Sequence, residues 1–217
     1  ESTRPGAGSV AVEEELRRVV PVISKLRSQT DIFLSVDTMK PEVAQAALDA
    51  GADIINDING LRDLKMIEVV ARNRAAVVVM HMQGTPRTMQ VAPHYKDVVA
   101  EERAFFGERL RTLGEAGIAP EQVAFDPGIG FGKKLEHNLT LLGSLPALRL
   151  PGRPFVLGVS RKSSIGKLIG DDRMESRFWP TVALTSWLRE GGAEIFRVHD
   201  VKENVEALKM TEAIMHP

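Results

Sequence analysis

Six short runs of β-branched and apolar residues recur along the chain, each nearly unbroken in its hydrophobicity. They are Ile32 to Asp37, Asp53 to Ile58, Ala75 to Met82, Val123 to Asp126, Phe155 to Ser160 and Glu194 to His199. A strand with one wet face alternates apolar and polar residues, whereas a continuous run marks a parallel strand covered on both faces. Each run closes on polar groups: Ser35-Val36-Asp37, Asn56-Asp57, Met80-His81, Asp126-Pro127-Gly128, Ser160-Arg161-Lys162 and Arg197-Val198-His199-Asp200. Helix signals fill the intervals. Val12, Leu16, Val19, Val20, Ile23 and Leu26 repeat with a 3.6-residue period. Pro41 stands at a first helical position and Gly51 just past that helix's end. A long stretch from Ala92 to Ala116 is closed by Gly117, and further helices begin near Glu136, Ser176 and Lys202.

Strand–helix alternation means a parallel sheet, either open and doubly wound or closed into a barrel. An open dinucleotide fold would carry G-x-G-x-x-G after its first strand, and none appears there. An open sheet also concentrates its functional groups at one switch point, while a barrel gathers them from the C-terminal ends of many strands. Polar residues at every strand end favour the barrel. The expected fold is one α/β domain spanning 1–217, a (β/α)8 TIM barrel with six of its eight strands visible. The chain opens in loop chemistry at Glu1-Ser2-Thr3-Arg4-Pro5-Gly6, which places the first two strands before it.

Composition narrows the function. Lys plus Arg total 28 and Asp plus Glu 29, so the net charge of −1 lacks the basic excess of a nucleic-acid binder. The absence of cysteine removes disulfides, thiolate metal sites and a cysteine nucleophile together. No apolar run approaches the ~18 residues of a membrane span, and no signal segment is visible, so a cytoplasmic protein is expected.

Taken alone, Asp37, Asn56 and Asp126 are each as readily helix caps or turn residues as ligands. The glycines of Asp126-Pro127-Gly128-Ile129-Gly130-Phe131-Gly132-Lys133 would let backbone N–H groups approach a ligand, with a mobile loop as the plain alternative. The loop lacks the Walker spacing. Arg197 and His199 alternate along the last strand, so both are expected on one face and Asp200 on the other. Together these groups would ring one barrel mouth. Asp37, Asn56 and Asp126 suit the N–H donors of a flat heterocycle, and Lys162, Arg197 and His199 suit an anion. An aminopyrimidine with a phosphate tail would use both halves. No spacing suits a metal, and His81, His94, His137 and His216 are most simply surface or core residues. Phe178, Trp179, Leu184 and Trp187 read mainly as core packing.

The motifs, in order along the whole chain, resemble those of the dihydropteroate synthases, the folate-pathway enzymes targeted by sulfonamides. The matching pieces are Glu1 to Gly6, Ser35-Val36-Asp37-Thr38, Ile55-Asn56-Asp57-Ile58, Met80-His81-Met82-Gln83-Gly84, Asp126 to Lys133, Ser160-Arg161-Lys162-Ser163 and Arg197-Val198-His199-Asp200-Val201. The resemblance implies condensation of 6-hydroxymethyl-7,8-dihydropterin pyrophosphate with p-aminobenzoate. It assigns pterin binding to Asp37, Asn56, Met80, Asp126, Lys162 and Arg197, and pyrophosphate binding to Arg197 and His199. It assigns p-aminobenzoate binding to Thr3, Arg4, Pro5, Phe131 and Ser163, and catalysis to Asp126, Lys162, Arg197 and His199. It also implies Mg2+, a homodimer and sulfonamide inhibitors. The family's Asn-Val-Thr-Pro-Asp-Ser-Phe-like loop, and the Asp-Val-Gly-Gly-like strand leading into Glu1, are not in this sequence. The Mg2+ ligands are therefore expected outside it, and these residues alone are expected to turn over weakly. The competing readings are a non-catalytic pterin-binding module, a methyltetrahydrofolate-type methyltransferase and, well behind, a dinucleotide oxidoreductase.

Overall fold

The computed structural model describes residues 1–2 and 7–217. Thr3, Arg4 and Pro5 lie outside the described residues. The elements run α1 (Val12–Arg27), β1 (Ser35–Asp37), α2 (Pro41–Asp49), β2 (Ile54–Asp57), α3 (Leu64–Asn73), β3 (Ala76–Met80), α4 (Val98–Glu115) and β4 (Val123–Asp126). There follow α5 (Leu135–Gly143), α6 (Leu145–Leu148), β5 (Val156–Leu157), α7 (Ser163–Ile169), α8 (Phe178–Glu190), β6 (Ile195–Phe196) and α9 (Val201–Met215).

Every strand pair is parallel and the order is sequential. β1 to β4 form one sheet and β5 pairs with β6. A parallel bridge from Phe125 to Phe155 joins the two. An open doubly wound sheet would reverse its strand order; this one does not. Curvature is shown by Arg197 and Asp37, at the ends of the outermost strands, whose charged groups lie 3.7 Å apart. Six strands laid flat would hold those edges about 24 Å apart, beyond the reach of two side chains. The sheet therefore curls into a barrel wall.

The two-residue period of the strands sorts their side chains. Ile55, Val77, Val79, Phe125 and Leu157 pack outward beneath the helices, in the main core. Ile54, Val78, Ala124 and Val156 form a separate inner layer. One step further along each strand, the same parity turns Asp37, Asn56, Met80 and Asp126 inward at the mouth. Asp57 takes the opposite parity. Its carboxylate accepts N–H groups of Asn59 at 2.8 Å and Leu61 at 2.9 Å, and burial pushes its pKa up to about 6. It closes a turn behind the wall.

The main core centres on Phe106 of α4, stacked against Phe125 at 4.6 Å between ring centroids and against Phe155 at 5.8 Å. Three expectations need correction. The strands are shorter than the apolar runs: Ile32 to Leu34 precede β1 at the end opposite the mouth, while His81, Met82 and Gly158 to Ser160 follow their strands into loops at the mouth. The helix expected from Ala92 begins at Val98, where the Asp97 carboxylate caps the N–H groups of Val99 and Ala100 at 3.0 Å each. Trp179 and Trp187 are exposed rather than core. The inward face of α8 carries Thr181, Thr185 and Leu188, and the Thr185 hydroxyl meets Asn204 of α9 at 2.6 Å. Small polar residues let those helices approach, so the bulky ones face out.

Candidate active site

An open cleft occupies the barrel mouth, lined by Asp37, Asn56, Ile58, Phe131 and Arg197, with Glu1, Glu15, Thr38, Met39 and Lys40 on one side. Asn56 donates from Nδ2 to Asp37 Oδ1 at 2.7 Å. Its own Oδ1 is buried with no hydrogen-bond partner among the described residues. Such an orphan acceptor is costly unless something donates to it, and a ligand N–H is the natural donor.

Asp126 is 4 % exposed. Burial pushes its pKa up, against the pull of the Gly128 N–H, which donates to Oδ1 at 2.7 Å, and of the nearby Lys162, Arg197 and Lys133 charges. Lys162 is half-buried, with its ammonium 4.4 Å from the centre of the Phe131 ring. Burial pushes its pKa down to about 8; Asp126 opposes this while Arg197 and Lys133 reinforce it. Arg197 passes over Gly158, where a Cβ would come within 3.3 Å of its Nη2 and crowd the guanidinium. His199 shares a 2.9 Å contact between Nδ1 and Ser160 Oγ, leaving Nε2 without a protein partner among the described residues.

The structure thus brings Asp37, Asn56, Asp126, Lys162, Arg197 and Phe131 together. Met80 lies beneath the cleft, in contact with residues that line it. It is 2 % exposed and packs in a methionine cluster with Ile58, Met82 and Met89, against which Phe131 also packs. Ser163 is an exposed first residue of α7, following Lys162 at the cap. Arg197 and His199 lie beyond the end of β6, so strand parity does not govern them. Asp200 instead grips Arg161 through a bidentate pair at 2.6 and 3.1 Å.

The glycine loop is also corrected. A Cβ on Gly128 would sit 2.0 Å from His81 O, and one on Gly132 2.6 Å from Gln83 O. Those glycines admit neighbouring protein backbone rather than a ligand. The Gly128 and Gly130 N–H groups are taken by Asp126 and by Asn138 Oδ1, the latter at 2.7 Å. The loop is tied down and presents no phosphate cradle from those two groups.

Sequence reasoning missed Glu15, Lys40 and Ile58 at the cleft. Glu15 is 2 % exposed and accepts from the Thr38 hydroxyl at 2.8 Å, while also pairing with Lys40. Its signal was present: it sits among the apolar residues of α1. Among the described residues no three His, Cys, Asp or Glu side chains converge on a point. No helix among the described residues is long and apolar enough to cross a membrane.

A family model described as "Pterin binding enzyme" matches residues 1–199. The chain is 46 % identical over 215 residues to the Escherichia coli dihydropteroate synthase, covering 99 % of this chain and 76 % of that protein. It superposes on a Yersinia pestis dihydropteroate synthase in complex with a sulfonamide drug at a TM-score of 0.96, with 43 % identity, covering 100 % of this chain and 78 % of that one. A Xanthomonas albilineans dihydropteroate synthase solved with 4-aminobenzoic acid gives a TM-score of 0.94 at 48 % identity, covering 100 % of this chain and 77 % of that one.

Proposed function

The chain belongs to the pterin-binding enzyme family, and we infer that its barrel mouth joins 6-hydroxymethyl-7,8-dihydropterin pyrophosphate to p-aminobenzoate, the reaction of a dihydropteroate synthase. The observation that carries this reading is the pairing of two unlike halves in one cleft. Asp37, Asn56 and Asp126 offer acceptors on the inner face, Asn56 Oδ1 already buried and unsatisfied. Lys162, Arg197 and His199 offer positive charge and donors beside them.

In this reading the pterin edge donates its N–H groups to Asn56 and Asp126, and Lys162 reaches a ring acceptor. The C–O bond to pyrophosphate breaks, and its electron pair leaves with the pyrophosphate oxygen. The Asp126 carboxylate, buried in a low-dielectric site, favours positive charge developing on the pterin methylene. Arg197 and His199 receive the departing anion; Arg197 is held only loosely by Asp37, so its fork is available for oxygen contacts. The amino nitrogen of p-aminobenzoate then forms the C–N bond and gives up a proton. No protein nucleophile is needed. Phe131 and Lys162 form the wall against which p-aminobenzoate, or a sulfonamide in its place, would lie. Met80 supports the pterin floor from below. Thr3, Arg4, Pro5 and Ser163 would complete the p-aminobenzoate side.

The reaction is transfer of an alkyl or aryl group other than methyl, and we place it in the cytoplasm. Mg2+ is proposed as a partner of the pyrophosphate. A homodimer is proposed through α8 and α9, where Trp179, Trp187, Met210 and Ile214 are 71 %, 58 %, 64 % and 73 % exposed. The test is p-aminobenzoate-dependent release of pyrophosphate by the full protein. Release that proceeds equally without the aromatic amine would overturn the reading.

A further inference from the structure

Beneath the glycine loop lies a buried charge cluster that the reaction does not use. Lys133 is 3 % exposed. Its ammonium lies 3.2 Å from Gly128 O, 3.1 Å from Phe131 O and 3.3 Å from His81 O. It is also 3.2 Å from His81 Nδ1 and 3.1 Å from Oε1 of Glu102, a fully buried residue of α4. The same Glu102 oxygen is 3.1 Å from His81 Nδ1.

Packing alone does not call for such a group. A methionine would fill similar space without the cost of desolvating an ammonium and a carboxylate. What the ammonium adds is convergence, since three carbonyls from two separate strand-end loops point at one donor. Two of those carbonyls belong to the turn that ends on Phe131. The turn has further ties, with the Phe131 N–H donating to Gly128 O at 2.9 Å and Gln90 to Gly130 O at 2.9 Å, and beyond it Tyr95 donates to Gly132 O at 2.8 Å. Only Lys133 holds Phe131 O from below among the described residues.

We propose that Lys133, anchored by Glu102, is a positioning residue for p-aminobenzoate: it fixes the Gly128–Phe131 turn and so sets the Phe131 ring against the Lys162 ammonium. The proposal rests on the reading of that wall given above. Lys133 touches no reacting atom. It acts through Phe131, so its loss should fall more heavily on the aromatic amine than on the pterin half, which keeps Asp37 and Asn56 on other strands while Asp126 is tied to the turn only through the Gly128 N–H.

The experiment compares the full protein with Lys133→Met and Glu102→Gln, each confirmed folded by its thermal melt. Glu102→Gln keeps size and polarity, and carries the test if Lys133→Met does not fold. Lysine ε-carbons are labelled with 13C, and the Lys162 signal, assigned through Lys162→Arg, is followed by NMR. Its proximity to the Phe131 ring gives it a ring-current shift. The expected result is loss of that shift together with a KM for p-aminobenzoate raised at least ten-fold, the KM for the pterin pyrophosphate staying within three-fold. An unchanged Lys162 signal overturns the proposal outright, as does an equal rise in both KM values. A lost shift with an unchanged p-aminobenzoate KM overturns instead the assignment of this wall to p-aminobenzoate. Because the NMR readout needs no turnover, failure of the positioning idea and failure of the functional reading separate.

Discussion

Replacing Asp126 by Asn is the sharpest perturbation of the cleft, because its consequences for binding and for stability run in opposite directions. Asp126 Oδ1 accepts the Gly128 N–H at 2.7 Å. An Asn can keep that bond through its own carbonyl oxygen, which turns its NH2 toward the position Oδ2 now occupies. A donor then faces the ligand's N–H where an acceptor stood. Loss of one charge-assisted hydrogen bond is worth about 1.5–3 kcal/mol, or about 10- to 150-fold in Kd, and the opposed donors add to it. Stability follows a different rule. Burial raises the folded-state pKa of Asp126 above its ordinary value of 3.8, so the folded protein holds this proton more tightly than the unfolded chain. The carboxyl favours folding most below that ordinary pKa, and the benefit is lost as pH rises toward the folded-state value. At neutral pH Asp126→Asn removes a penalised charge and should melt no lower than the parent. The assays are calorimetric titration with 6-hydroxymethylpterin and a thermal melt at pH 7. Pterin affinity within three-fold of the parent, in a protein that melts normally, would refute the placement of the pterin on Asp126.

Lys162 should impose an alkaline limb on activity. With its pKa pushed down to about 8, the cation is lost as pH rises through that value. In that same range its contribution to stability grows, since the unfolded chain still holds the proton; kcat/KM flat to pH 9.5 would contradict this. Gly128→Ala should cost more than about 3 kcal/mol, from a left-handed backbone that disfavours side chains and a Cβ driven into the neighbouring loop. Gly152→Ala is the control: its φ of +69° matches the +63° of Gly128 but nothing lies within 4 Å of its Cβ, so urea midpoints that fall equally would show the contact to be unimportant. Charging the exposed face with Trp187→Glu and Met210→Glu should convert a dimer to a monomer by sedimentation at micromolar concentration, and a parent that is monomeric there would remove the proposed interface.

Much of this was legible in the sequence because the fold encodes it locally. Continuous apolar runs ending in polar residues gave the strands and their functional ends. The two-residue period then separates Asn56, which faces the cleft, from its neighbour Asp57, which closes a turn behind the wall. The glycine loop stayed open between two readings in the sequence because its meaning is not local. Gly128 and Gly132 answer to carbonyls of His81 and Gln83, residues far away in sequence. Lys133 and Glu102 are hidden for the same reason: each looks like an ordinary surface charge until the chain brings α4 beneath the loop. Glu102 did leave a trace, falling with Val98, Phe106 and Leu113 on the buried face of α4. The outward tryptophans could not be inferred from hydrophobicity, since the closeness of α8 to α9 depends on Thr185 and Asn204 meeting.

The approach of Asp37 to Arg197 has a consequence for how the molecule comes apart and together. These residues end the first and last strands described, so theirs is among the contacts that demand the greatest loop closure. A ligand that engages both residues ties together two elements far apart in sequence. A pterin pyrophosphate held at 100 times its Kd would stabilise the closed arc by about 2.7 kcal/mol. A protease cut or a hinge that freed α8, β6 and α9 would abolish pyrophosphate binding while β1 to β4 kept their pairing. Substrate affinity thereby reports on whether elements far apart in sequence have come together.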